Sequence, residues 1–173
     1  MNIIQKENTF IDPRDEKIYK TIKIGDQLFM AENLAYKPST GNYWAYRNIQ
    51  SNVEKYGYLY DWETANKVAP NGWHLPSFEE WETLHKFLAD DNKKVFAAVI
   101  EDGNSGFKAL LGGYRDNNGK FVHTGTSTHF WSSTECAGFL VWAFRCGGGA
   151  NSKSAGLGAD YSSCGNSVRL IQD

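Results

Sequence analysis

Three cysteines, Cys136, Cys146 and Cys164, and four histidines, His74, His85, His123 and His129, are the residues of this 173-residue chain best suited to chemistry. A thiolate beside an imidazole would be a nucleophile, and a close set of both would hold zinc. Their spacing supports neither. The cysteines lie 10 and 18 residues apart with no C-x-x-C, and no two histidines stand at zinc-ligand spacing. Three cysteines in a chain of this size read as free thiols rather than a disulfide framework. Two other stretches fail in the same way. "RDNNGK" (115–120) lacks the ladder of acidic residues and the terminal Glu of a calcium loop, and "CGGGA" (146–150) lacks the Lys-Ser/Thr pair of a phosphate loop. No catalytic residue, metal or cofactor is therefore expected.

The elements that would position any site are legible in part. "YKTIKIGDQLFMAENL" alternates as two strands around a Gly25-Asp26 turn. The aromatic stretch from Pro38 to Tyr60 has no clear period and leads into a short helix at about Trp62 to Val68. In "PNGWHLPSFEEWETLHKFLAD", Ser77 and Glu80 have capping-box spacing, and Trp81, Leu84, His85 and Leu88 repeat at i, i+3, i+4, i+7, which predicts a helix from Phe78 to Ala89. His85 shares its apolar face, so a packed histidine is expected there rather than a ligand or base. A hairpin turn at Asn118-Gly119, a strand from His129 to Ser133 and a terminal strand in "NSVRLIQD" follow. Strands at both ends and two helices between them predict one α+β domain over 1–173 whose ends pair, with residues 1–8 as a short extension.

With 41% of its residues hydrophobic and 14% of the chain aromatic, the chain can fill a single core. A net charge of −2 with both signs interspersed gives no footprint for nucleic acid. No signal peptide and no apolar run of membrane-spanning length is present, so no membrane insertion is expected.

One segment differs from the rest. "CAGFLVWAFRCGGGANSKSAGLGADYSSC", Cys136 to Cys164, holds all three cysteines, is dense in glycine and loses the hydrophobic period. Lys, Glu, Gln, Met and Trp make up 32 of residues 1–135, about 24%, so its 29 residues should hold about seven; they hold Trp142 and Lys153. These five are the residues that codons of the form NNC never specify.

"IGDQLFMAENLAY", "YGYLYDWETA", "PNGWHLPSFEEWETL", "FWSSTE" and "GNSVRLIQD" together resemble the Fibrobacter-type major paralogous domain, a family of Bacteroidetes-like bacteria and their phages. "GWHLPSFEEW" and "SVRLI" are also similar to parts of the formylglycine-generating-enzyme branch of C-type-lectin-like folds. The resemblance implies a C-type-lectin-like fold: terminal strands paired, two helices, and a second small sheet presenting a variable ligand face. Some relatives are variable proteins of diversity-generating retroelements, in which a reverse transcriptase rewrites adenine-containing codons near the 3′ end of the gene. That implies a ligand-binding, adhesin-like protein with 136–164 as its variable region and an unknown protein or cell-surface ligand as partner. Expected contacts are Cys136, Gly138, Phe139, Leu140, Ala143 and Phe144, followed by Arg145, Cys146, Gly147, Asp160 and Tyr161. Aromatic groups and Arg among them would carry most of the energy. Trp73, Pro76, Trp81, Trp131, Trp142 and Arg169 would form the scaffold, with Trp142 a fixed core anchor. An undiversified lectin-like module and an oxidase of the formylglycine-generating branch remain the alternatives. For the oxidase no matching cysteine pair can be placed.

Overall fold

The computed structural model describes residues 8–149 and 152–173. The extension assigned to 1–8 thus falls, up to residue 7, outside the described residues, as do 150 and 151 of the candidate variable region.

The chain opens with β1 (Asn8–Ile11), β2 (Ile18–Ile24) and β3 (Gln27–Met30), antiparallel in that order. The β2–β3 turn is at Gly25, whose φ of +61° suits glycine, and a Cβ there would lie 3.1 Å from the Phe87 ring. β4 (Tyr43–Trp44), α1 (Asn52–Tyr56), β5 (Leu59–Tyr60) and α2 (Trp62–Ala65) occupy the aromatic middle. β6 (Trp73–His74) leads into α3 (Phe78–Leu88), whose predicted capping box is formed: Ser77 Oγ accepts from the Glu80 N–H, and the Ser77 N–H donates to Glu80 Oε2.

Besides α1, a further helix, α4 (Asn92–Val99), adds to the two expected. Asp91 caps it by accepting from the Lys93 and Lys94 N–H groups, and Val95, Phe96 and Val99 bury one side. Its eight residues hold too little periodicity to stand out in sequence.

β7 (Tyr114–Arg115) and β8 (Phe121–Val122) form the ribbon around Asn118-Gly119. β9 (Ser127–Ala137), β10 (Leu140–Gly147) and β11 (Ser154–Tyr161) are the long strands, and β12 (Asn166–Ser167) and β13 (Ile171–Gln172) close the chain. One sheet has the order β1-β2-β3-β13-β6, so the two ends of the chain are joined. The Met30 N–H donates to the Leu170 carbonyl and the Leu34 N–H to that of Val168, both at 2.9 Å. The other sheet runs β11-β10-β9-β12-β5-β4. With four helices and these sheets the architecture is α+β.

Two apolar clusters lie on opposite faces of the second sheet. Trp131, Val141 and Ala143 belong to one, with Tyr60, Trp73 and Leu170. Phe130, Phe144 and Cys146 belong to the other, with Trp81 and Phe107. The Phe144 ring stacks on Trp81 at 5.0 Å and 10°. Arg169 is buried, and among the described residues no carboxylate forms an ion pair with it. It donates to Asn33 Oδ1 and to the Met30 and Phe107 carbonyls, with the Phe107 ring 4.5 Å away. Burial lowers its guanidinium to about 9.

The expected loss of period in 136–164 is corrected by this arrangement. The middle of β10 is covered on both faces, so apolar residues follow one another there as they do in any doubly buried strand.

Candidate functional site

β9, β10 and β11 form an antiparallel ribbon that carries the unusual segment. Register places His129 opposite Arg145 and Arg145 opposite Gly156, one row across three strands. Glycine at 156 and 158 leaves no side chain beside Arg145. A Cβ at residue 158 would lie 2.9 Å from Arg145 Cδ, Nε and Nη1, so glycine there lets the guanidinium lie across β11. It donates from Nη2 to the Ala159 carbonyl and, at 2.6 Å, to Asp160 Oδ1.

Asp160 is the buried centre of this row. Its Oδ2 accepts from Asn166 Nδ2 at 2.9 Å and pairs with His129 Nδ1 at 2.9 Å. Burial pushes its carboxyl up, but the hydrogen bond and charge of His129, the Arg145 guanidinium and the Asn166 amide outweigh it and hold it below the ordinary aspartate value. The carboxylate only accepts, so the shared proton sits on His129 Nδ1. Tyr114 stacks on the His129 ring at 4.1 Å and on the His123 ring at 5.5 Å. Burial raises its hydroxyl.

Beside this row lies a cleft of about 670 Å³. Its walls are the stacked rings, Arg145, the Gly147–Gly149 turn and Gly156–Gly158. An Asp-His pair can activate a nucleophile, but among the described residues no thiol or hydroxyl is bonded to His129. The arrangement holds a charge and donors in place, which suits binding.

The opposite end of the ribbon is apolar and open. Phe139 in the β9–β10 turn is 81% exposed and Tyr161 is 50% exposed, next to Leu140, its partner in register. Cys136 and Gly138 are exposed there too. Trp142 is half-buried, its ring 4.8 Å from that of Phe78.

Residues 22–172 match the family model described as the Fibrobacter succinogenes major domain. The chain belongs to that family. No curated protein and no solved structure matches it. The stretch of the Fibrobacter succinogenes major domain in this chain runs from β2 to β13 and contains the whole ribbon and its cleft.

Several of the expected contact residues of this Fibrobacter succinogenes major domain are corrected by burial. Ala143, Phe144 and Cys146 are 0% exposed, because the two clusters close over both faces of β10, and of the three only Cys146 borders the cleft. Asp160 lies under the cleft and acts through Arg145 and His129. Arg145 and Gly147 line the cleft itself. Of the scaffold residues, Trp73, Pro76, Trp81, Trp131 and Arg169 are buried, whereas Trp142 is only partly so. Tyr114, His123, His129 and Asn166 were missed. They stand on four separate strands or turns, and no spacing in the sequence joins them. Burial pushes the Cys146 thiol up to about 12 and the Cys164 thiol up to about 11, which leaves both inert. Among the described residues no group of His, Cys, Asp and Glu could hold a metal ion, and no helix is long and apolar enough to cross a membrane.

Proposed function

We propose that this member of the Fibrobacter succinogenes major domain family is a single C-type-lectin-like, ligand-binding module whose 136–164 segment is diversified by a retroelement to bind varied targets, chiefly proteins. The observation that carries this reading is the division of labour on the ribbon. Its exposed side chains are gathered at the open end and the cleft, while residues outside the segment supply most of both cores. Such a frame tolerates exchange of surface residues without loss of fold. An exposed Phe and Tyr side by side are the kind of groups that dominate protein interfaces. Catalysis is no part of the proposal: the buried thiols of Cys146 and Cys164 sit in different clusters and cannot act as a pair.

Deep sequencing of the 3′ third of the gene across its source population tests this. Substitutions should gather at NNC codons for exposed positions such as 136–139, 149, 152 and 161. Codons 141, 143, 144, 146, 155 and 164, whose side chains are buried, should stay apolar. Uniform or absent variation overturns diversification. It would leave an undiversified lectin-like module, a reading that the buried residues within the segment already favour in part.

A further inference from the structure

The cleft beside the ribbon has a lining of one sign. Among the described residues that line it, Arg145 is the one with a fixed charge, its side chain 40% exposed, and no carboxylate is among them. The other polar groups are hydroxyls, imidazoles and the Asn92 amide. Asp160 lies behind this wall with both oxygens committed, Oδ1 to Arg145 and Oδ2 to His129 and Asn166. It keeps the guanidinium in place and presents no free acceptor to a cation. A ligand cation would meet the Arg145 guanidinium first, since the Asp160 charge that compensates it lies behind the wall and is already engaged.

From this geometry we infer that the cleft is an oxyanion subsite, which takes a carboxylate, sulfate or phosphate group carried by the ligand. It rests on the binding reading above and names the chemistry of one part of it. Among the described residues both hydrogen bonds of Arg145 leave from Nη2, so Nη1 of this 40% exposed side chain has no acceptor in the protein, while Nε, also without one, is buried. Charge-assisted bonds from arginine to an oxyanion are among the strongest available to a surface site. The glycine walls at 147–149 and 156–158 leave the room for a group to approach Arg145. Division of the ribbon follows: the apolar end supplies contact area, and the cleft selects a ligand by its charge.

The test uses the full chain and free anions. Acetate, sulfate and phosphate are titrated while the imidazole resonances of His123 and His129 are followed by NMR, with acetamide as the neutral control. The expected result is saturable shifts for one or more anions with a Kd on the order of 10 mM, as befits so small a ligand, and none for acetamide. Preference for acetate points to an acidic side chain as the source, and preference for sulfate or phosphate to a modified ligand. Arg145→Gln should weaken binding at least about tenfold. Because that change also leaves Asp160 short of a partner, Gly149→Asp and Gly149→Asn provide a second pair. Among the described residues a Cβ at residue 149 meets only Ser152 Oγ, at 3.6 Å, so the wall has room for either substitution to begin. Gly149→Asp should weaken anion binding far more than Gly149→Asn, which adds the same bulk to the glycine wall without the charge. Equal response to acetamide, no saturation with any anion at about 100 mM, or equal affinity of the two residue-149 variants overturns the inference. Codon variation that persists alongside such a failure leaves the binding module standing without its anion. An invariant gene with intact anion binding does the reverse.

Discussion

Phe139 and Phe144 stand five residues apart on the same ribbon, drawn from the same restricted set of residue types, and the fold treats them oppositely. Phe144 is 0% exposed and stacked on Trp81; Phe139 is 81% exposed at the tip of a turn. The difference comes from neither residue. β10 is an inner strand of its sheet, flanked by β9 and β11, and its middle has an apolar cluster on each face. Its end runs past that cover. Composition marks the segment as unusual, but position in the sheet decides which of its side chains are free to meet a partner.

The sharpest way to break this comparison is truncation at the buried member. Phe144→Ala should cost about 3–5 kcal/mol of folding free energy, the usual range for a buried Phe, since it removes the stack on Trp81 and leaves a cavity. Denaturant unfolding reads this directly, and a cost under about 1 kcal/mol would mean that β10 is as tolerant in its middle as at its end. Next in size is Asp160→Asn, at about 2–3 kcal/mol, because charge-assisted bonds to Arg145 and His129 are lost. The pH dependence has a definite sign. The folded-state value of Asp160 lies below the ordinary 3.8, so its contribution is complete above that pH and is lost as pH falls through the folded value. The variant should therefore lose less stability than the parent below about pH 4. Parallel acid unfolding curves for the two would contradict the placement of this carboxylate. Trp142→Ala falls between the two phenylalanines, at about 1–2 kcal/mol, because the half-buried indole loses its contact with Phe78.

What was legible in the sequence follows the same division between local and long-range causes. The Gly25 turn, the Ser77/Glu80 capping box and the Asn118-Gly119 turn are each set within a few residues, and each forms as expected. The pairing of the two ends was expected from a terminal strand in "NSVRLIQD"; the strand that forms is confined to Ile171–Gln172, and Val168, Arg169, Leu170 and Ile171 are all buried, so no in/out alternation accompanies it. β11 was not readable as a strand, because Gly156 and Gly158 have low strand propensity and are held extended by β10. The cleft was less readable still. His129, Arg145 and Gly156 become neighbours only through register, and Tyr114 reaches them from a separate two-stranded ribbon. Arg145 and Asp160 were expected as contacts, each for itself; that one holds the other in place is a fact of three dimensions.

The smallest effect on folding is expected at the exposed member of the pair, and it is the one that separates stability from binding. Phe139→Ala should change folding free energy by less than about 0.5 kcal/mol, since a side chain already in water has little burial to lose. The effect on recognition should be far larger. If Phe139 and Tyr161 form the apolar contact area, the affinity of this protein for its own ligand should fall at least about tenfold on Phe139→Ala, with the unfolding midpoint of the protein unchanged. Gly138 beside it has open space around the position a Cβ would take, so the turn itself has no neighbour to disturb, although its φ of +59° favours glycine. A Phe139→Ala protein that unfolds earlier would show the turn to be part of the frame. An affinity left intact would move the contact surface to the cleft end, where Arg145 alone would have to supply it.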